Sequence, residues 1–216
     1  MGDKDFQNEM LDRYLELNSS PEPDLLRKLR INTMNEFSQH HMISGHVQGR
    51  FLSTMSKILQ PAHILEIGTF TGYATLCLAE GLIEDGKITT IDINPDLQDF
   101  YQPYFNVSGF NAQINSLIAN AITFLEKSKD TYDLIFLDAN KKQYIDYFEL
   151  LVPRMKPGGV ILADNTLWKG KVMQAIDAKD KMTQALFDFN QHITQDTRVE
   201  VVLIPLRDGI SLIRKK

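Results

Sequence analysis

The chain has 216 residues, 43% hydrophobic and 24% charged, the balance of a soluble globular protein able to bury a large core. A net charge of −5 argues against a general nucleic-acid or anionic-membrane surface, and no apolar run approaches the ~20 residues of a membrane span. The single cysteine, Cys77, has no internal disulfide partner, and the charged start MGDKDFQNEMLDRYLELNSS lacks the apolar stretch of a secretion signal, so the expected setting is reducing and cytoplasmic.

The first 60 residues read as helical. PEPDLLRKLRINTMNEFSQ offers prolines at a helix start and apolar positions at Leu25, Leu26, Leu29 and Met34, and GRFLSTMSKIL (49–59) places Phe51, Leu52, Met55, Ile58 and Leu59 at helical spacing. After Pro61 the rhythm changes. HILEIG (63–68) is a short apolar run closed by glycine, TGYATLCLAEGL (71–82) is helical, KITTIDI (87–93) is a strand and NPDLQDFYQPYF starts a helix. AQINSLIA (112–119), AITFLEKS (121–128) and YDLIFLDA (132–139) continue the alternation. IDYFELLVPRM (145–155) is a helix ended near KPGG, VILAD (160–164) a strand, KMTQALFDFNQHIT (181–194) a helix, and VEVVLIPL (199–206) and ISLIRK (210–215) the closing strands.

Strands alternating with helices predict a parallel sheet covered on both faces. Only RDG separates the last two strands, too few residues for a crossover helix, so these two should pair antiparallel. The expected architecture is one α/β domain over 1–216, with a seven-stranded, mostly parallel sheet containing one antiparallel strand. Residues 1–60 should pack as a helical extension on a 61–216 core.

In such sheets the ligand lies outside the carboxyl ends of the strands, and four acids fall there: Glu66, Asp92, Asp138 and Asp164. A carboxylate so placed is partly desolvated and needs a proton, a cation or a ligand hydroxyl. LEIGTFTGYATL reads as strand, glycine turn, helix, with Gly68 and Gly72 able to let the backbone turn and approach a ligand. Asp92, 24 residues after Gly68, ends the next strand, where a carboxylate suits a ribose diol. Together these say only that a ribonucleoside is bound. A nicotinamide dehydrogenase is an alternative, opposed by Thr75 at the third glycine position and by Glu66, which would repel a pyrophosphate but suits a sulfonium or ammonium ligand.

Asp138 ends the fourth strand, and Asp164 and Asn165 end the fifth. Those strands should be neighbours, so three oxygen donors converge, a set suited to Mg²⁺ or Ca²⁺ rather than zinc. Lys141, three residues past Asp138, is then a candidate general base whose pKa a nearby cation should lower, whereas Lys142 reads as a solvated lysine. A non-catalytic, receiver-like Mg²⁺-binding module is a second alternative, but it leaves Asp92 and the glycine loop without a role.

These motifs resemble the class I S-adenosylmethionine-dependent O-methyltransferases that need a divalent cation, the group of the caffeoyl-CoA and catechol O-methyltransferases. LEIGTFTGY is similar to the family's cofactor loop, IDINP to its ribose-binding strand end, FLDANKKQY to its Asp-x-x-Lys stretch, ADNTLW to its Asp-Asn metal pair and RDGISLIRK to its final hairpin. ADNTLW with RDGISL favours the caffeoyl-CoA-like, bacterial branch. The resemblance implies a Rossmann-like class I methyltransferase fold and the following roles. Met42, Ser44, Glu66, Gly68, Phe70, Gly72, Asp92, Ala119 and Asp138 would contact S-adenosylmethionine. Asp138, Asp164 and Asn165 would hold the metal, with Mg²⁺ foremost and Ca²⁺ or Mn²⁺ as other candidates, and Lys141 with Asp138 would carry the catalysis. The acceptor would be a small catechol-type phenol, and the assembly a homodimer. Trp168 and Tyr144 are candidates for a wall against the acceptor ring. Two departures stand out: Ala74 replaces a serine that often contacts the methionine carboxylate, and MISGHVQG differs from the plant branch's ADEGQ-like segment.

Overall fold

The computed structural model describes residues 3–216, with side chains from Met10 onward. Three helices open the chain: α1 (Asp3–Leu17), α2 (Asp24–Glu36) and α3 (Gly45–Leu59), the last two joined through a 3₁₀ turn at His40–Met42. Pro23, at φ −55°, keeps the chain extended up to the first turn of α2. Gln60 turns left-handed at φ 47° and ends α3 before the sheet begins.

Strands and helices then alternate as β1 (His63–Ile67), α4 (Tyr73–Ala79), β2 (Lys87–Asp92), α5 (Gln98–Val107), β3 (Ile114–Ile118), α6 (Ala121–Lys127), β4 (Tyr132–Leu137), α7 (Tyr144–Leu151), β5 (Met155–Asp164), α8 (Lys181–Gln195), β6 (Val199–Ile204) and β7 (Ile210–Lys215). The seven strands form one sheet in the order β3-β2-β1-β4-β5-β7-β6. β7 runs antiparallel to both its neighbours, and the other pairs are parallel. The final hairpin thus folds back so that its second strand, not its first, inserts beside β5.

Buried side chains alternate across the sheet. Ile64, Leu134, Phe136 and Leu162 face the layer built from α2 to α5, whereas Leu65, Ile135, Leu137 and Ile161 face α6, α7 and α8. The apolar stripe read in the first 60 residues seats the N-terminal helices on the first face: Leu26, Leu29 and Leu52 are buried there, while Met34 is exposed. One reading of the sequence needs correction. KPGG does not lie between a helix and a strand that starts at 160. β5 already begins at Met155, opposite Tyr132, and pairing resumes only at Leu134 with Val160. The intervening residues bulge because Pro157 has no N–H to give and Gly158 adopts φ 78°.

α3 is fixed to α4 by a compact polar knot. Glu80 accepts hydrogen bonds from Arg50 (2.7 and 3.0 Å), Ser53 (2.7 Å) and Lys57 (2.6 Å). Burial opposes its ionisation, yet these donors hold the carboxyl down at about 2. A carboxyl lowered in this way lends stability above its ordinary range near ~4.3, and that stability is lost as pH falls through the folded value. Glu80→Ala strands the half-buried Arg50 guanidinium. It should cost roughly 3 kcal/mol in urea unfolding at pH 7, and the deficit should shrink as the pH is lowered towards ~2.

Candidate active site

Strand order reverses between β1 and β4, and the carboxyl ends of the strands there border a cavity of about 1010 Å³. The parallel register explains why its acids converge. Ile67 stands opposite Leu137, and Leu137 opposite Ala163, so Asp138 and Asp164 come next on adjacent strands at the same level. Asp92 closes β2 one strand further along.

The turn after β1 is built on close backbone approach. Gly68 has φ 108°, and a Cβ there would lie 2.0 Å from the Asp138 carbonyl oxygen. At Gly72, φ 81°, a Cβ would overlap the Phe105 ring at 2.5 Å. Asp92 ties this turn to β2, for its Oδ2 accepts from the Phe70 N–H (2.8 Å) and its Oδ1 from the Asn94 N–H (2.9 Å). Beneath the loop, Glu66 is 0% exposed. Its Oε2 accepts from the hydroxyls of Thr75 and, at 2.5 Å, Thr90, and its Oε1 has no partner. Burial, together with the nearby Asp138 and Asp92, pushes this carboxyl up to about 8.

At the β4 and β5 ends, Lys141 is 8% exposed and Lys142 is exposed. The Lys141 Nζ donates to Asp138 Oδ1 (2.5 Å) and to the Tyr144 hydroxyl (2.8 Å). That hydroxyl in turn lies 3.0 Å from the carbonyls of Leu137 and Asp164, bridging the two strand ends. Asn140 turns the chain here by accepting from the Lys142 N–H (3.3 Å). The lowering expected of the Lys141 pKa belongs to a cation beside it; in the protein alone the direction is the opposite. Burial favours the neutral amine, but the Asp138 carboxylate and Tyr144 outweigh it and raise the pKa. Asp164, 4% exposed, is pushed up to about 6 by burial and by the Asp138 charge.

The loop after β5 is strained and held from outside. Asn165, Trp168 and Lys169 adopt φ 60°, 47° and 53°. The turn between β6 and β7 supplies the anchors: Thr166 N–H donates to the Gly209 carbonyl (3.0 Å), Leu167 N–H to the Asp208 carbonyl (2.9 Å), and Lys169 N–H to the Asp208 carboxylate. From α3, the Gln48 Nε2 donates to Asp164 Oδ2 (2.7 Å).

Comparison with known proteins fits this geometry. The family model described as O-methyltransferase matches residues 16–216. The chain belongs to the O-methyltransferase family. Caffeoyl-CoA O-methyltransferase 2 of Eucalyptus globulus is 35% identical over 227 residues, covering 97% of this chain and 90% of that relative. Its namesake in Populus trichocarpa is 34% identical with the same coverage, 97% and 90%. The SAH-bound methyltransferase of Podospora anserina superposes with a TM-score of 0.89 at 26% identity, covering 100% of this chain and 98% of that one. An O-methyltransferase of Bacillus cereus in complex with SAH gives 0.86 at 25%, covering 96% and 97%. The chain is thus a class I S-adenosylmethionine-dependent O-methyltransferase, with the seven-stranded sheet expected of that fold.

Of the residues singled out in the sequence, Met42, Gly68, Asp92, Ala119, Asp138, Lys141, Asp164 and Asn165 line the large cavity. Ser44 and Phe70 line a small cleft that shares Met42, Gly68 and Asp138 with it. Glu66 and Gly72 line neither, for one lies under the loop and the other packs on Phe105. Trp168 borders the cavity, whereas Tyr144 is fully buried and braces Lys141, so it is no part of a wall. Gln48 and Arg207 were not foreseen. Gln48 sits four residues before Leu52 on the apolar stripe of α3, and a polar residue in that register was the available signal.

Among carboxyls, one with a raised folded pKa adds stability below its ordinary value near ~3.9 and loses it as pH rises through the folded value. In EDTA, therefore, Asp164→Asn should melt higher relative to wild type above pH 6, where the wild-type carboxylate is charged, and the advantage should disappear below pH ~4. A melting-temperature difference independent of pH would show that Asp164 carries no such penalty.

Proposed function

We propose that this O-methyltransferase transfers the methyl group of S-adenosylmethionine to one hydroxyl of a small vicinal diphenol, with a divalent cation, Mg²⁺ foremost, held at Asp138, Asp164 and Asn165. The observation that carries the reading is the meeting of Asp138 and Asp164 at one level of the sheet, in the cavity that Asp92 and Ala119 also border. Two carboxylates and an amide oxygen are hard donors, and a carboxyl lifted to about 6 by burial and then by its neighbour's charge is a site short of positive charge.

When bound, S-adenosylmethionine supplies the electrophilic methyl group. A divalent cation would supply the charge that lowers the pKa of a phenol and competes with Lys141 for the Asp138 carboxylate. The chain's own residues do the rest. The Asp92 carboxylate, fixed by the N–H groups of Phe70 and Asn94, keeps lone pairs for ribose hydroxyls. Gly68 lets the loop lie directly on the Asp138 backbone, which keeps cofactor and acceptor ends close. Lys141, held by Asp138 and Tyr144, is an ammonium in the protein alone; once the Asp138 charge is engaged and the ammonium has released one proton to solvent, the neutral amine is positioned to take the phenolic proton. Trp168 offers a flat surface for the ring. The relatives named for caffeoyl-CoA support a diphenol acceptor, since a caffeoyl group carries two adjacent hydroxyls.

Assays with catechol, caffeate and caffeoyl-CoA, in EDTA and with added Mg²⁺, test the reading. Transfer should stop in EDTA and return with Mg²⁺, and monophenols should be poor acceptors. Activity that persists in chelator removes the metal from the reaction. Lys141→Ala should lower kcat at neutral pH by roughly 100-fold with little change in SAH affinity; an unaltered kcat would make Lys141 a bystander.

A further inference from the structure

The N-terminal segment and the final hairpin meet at one guanidinium. Arg207, in the β6–β7 turn, adopts φ 49°. Its Nη1 donates to the Ile43 carbonyl (2.7 Å), to the Ser44 carbonyl, and to Gln48 Oε1 (3.1 Å). Gln48 is 1% exposed, and its other amide atom reaches Asp164 Oδ2 at 2.7 Å. The two contacts fix the amide's orientation. A guanidinium only donates, so it takes the carbonyl oxygen, and the NH₂ is left facing a carboxylate that only accepts. Asp164 Oδ1 is held meanwhile by the Asn165 N–H at 2.7 Å. Each carboxylate oxygen is thus tethered once and retains a lone pair.

Resting on the divalent-cation reading above, we infer that Gln48 is a positioning residue for Asp164, and that Arg207 sets the amide so that the carboxylate presents one geometry to the cation. The arrangement joins three distant parts of the chain: α3, the β6–β7 turn and the β5 end. It also ties the cover segment bearing His41 and Met42, both at the cavity wall, to the metal-facing carboxylate through two side chains, Arg207 and Gln48. Without the amide, Asp164 keeps only its own neighbour's N–H and can turn away from Asp138, whose like charge repels it.

Outer partners of metal-holding side chains govern affinity by a factor of ~10 to 100. Calorimetric titration with Mn²⁺, well below each variant's melting temperature in EDTA, reads this directly, with SAH affinity measured in chelator as a second readout. Gln48→Leu, close in volume to glutamine, should bind Mn²⁺ at least ~10-fold more weakly than wild type, with SAH affinity unchanged. Arg207→Met, at an exposed position, should weaken Mn²⁺ in the same direction by a smaller factor, and it decides the matter if Gln48→Leu does not fold. Folded variants with wild-type Mn²⁺ affinity, beside an Asp164→Ala control that has lost it, overturn the positioning role alone. A wild-type protein that binds no Mn²⁺, or an Asp164→Ala protein that binds it normally, overturns the metal reading and this inference together.

Discussion

Two carboxylates brought level at the ends of adjacent parallel strands repel each other, and the surroundings of Asp138 and Asp164 are arranged around that repulsion. The register of β4 on β5 makes the encounter unavoidable. Burial sharpens it by removing water that would screen the charges. Each acid then receives its own counterweight: Lys141 on Asp138, and the Gln48 amide and Asn165 N–H on Asp164. Tyr144 sits below and bridges the two strand ends through their carbonyls, so the backbone that bears the acids does not splay.

The counterweights come from different depths of the sequence. Lys141 is three residues from its partner and Asn165 one, so local geometry alone delivers them. Gln48 arrives from 116 residues away. It does so because α3 is locked to α4 by the Glu80 knot, and because the β6–β7 turn reaches back over the sheet end to hold the segment that precedes the helix. The placement of the Asp164 carboxylate at the β5 end therefore depends on helix packing remote from it in sequence.

This division also explains what was legible in the sequence. Strand periods, strand-end acids and the glycine loop are short-range patterns, and they led to the seven strands, the antiparallel closing strand and the acids bordering the cavity. Residues whose meaning is set by long-range contact were harder. Arg207 reads as an ordinary turn residue until its 164-residue reach to Ile43 is seen. Tyr144 looks like a ring for stacking until its hydroxyl is found underneath Lys141. The KPGG stretch reads as a stop, yet a bulge lets it run within β5. The state of Lys141 also depends on a contact no local pattern displays: burial is the largest single influence on its pKa and lowers it, yet Asp138 and Tyr144 together outweigh burial in the protein alone.

Gly68 carries a consequence for the tempo of variation at this site. Because a single methyl group there would collide with the Asp138 backbone oxygen, the loop after β1 and the end of β4 share one boundary with no spare room. Neither can drift independently by small substitutions; a change in one has to be matched in the other. The loop after β5 is interlocked in the same way, for a Cβ on Gly209 would lie 2.7 Å from the Leu167 backbone nitrogen, whereas the segment around His41 is held by hydrogen bonds from Arg207. The sheet end thereby sets two interlocked backbone joints beside one covering segment whose residues can change singly.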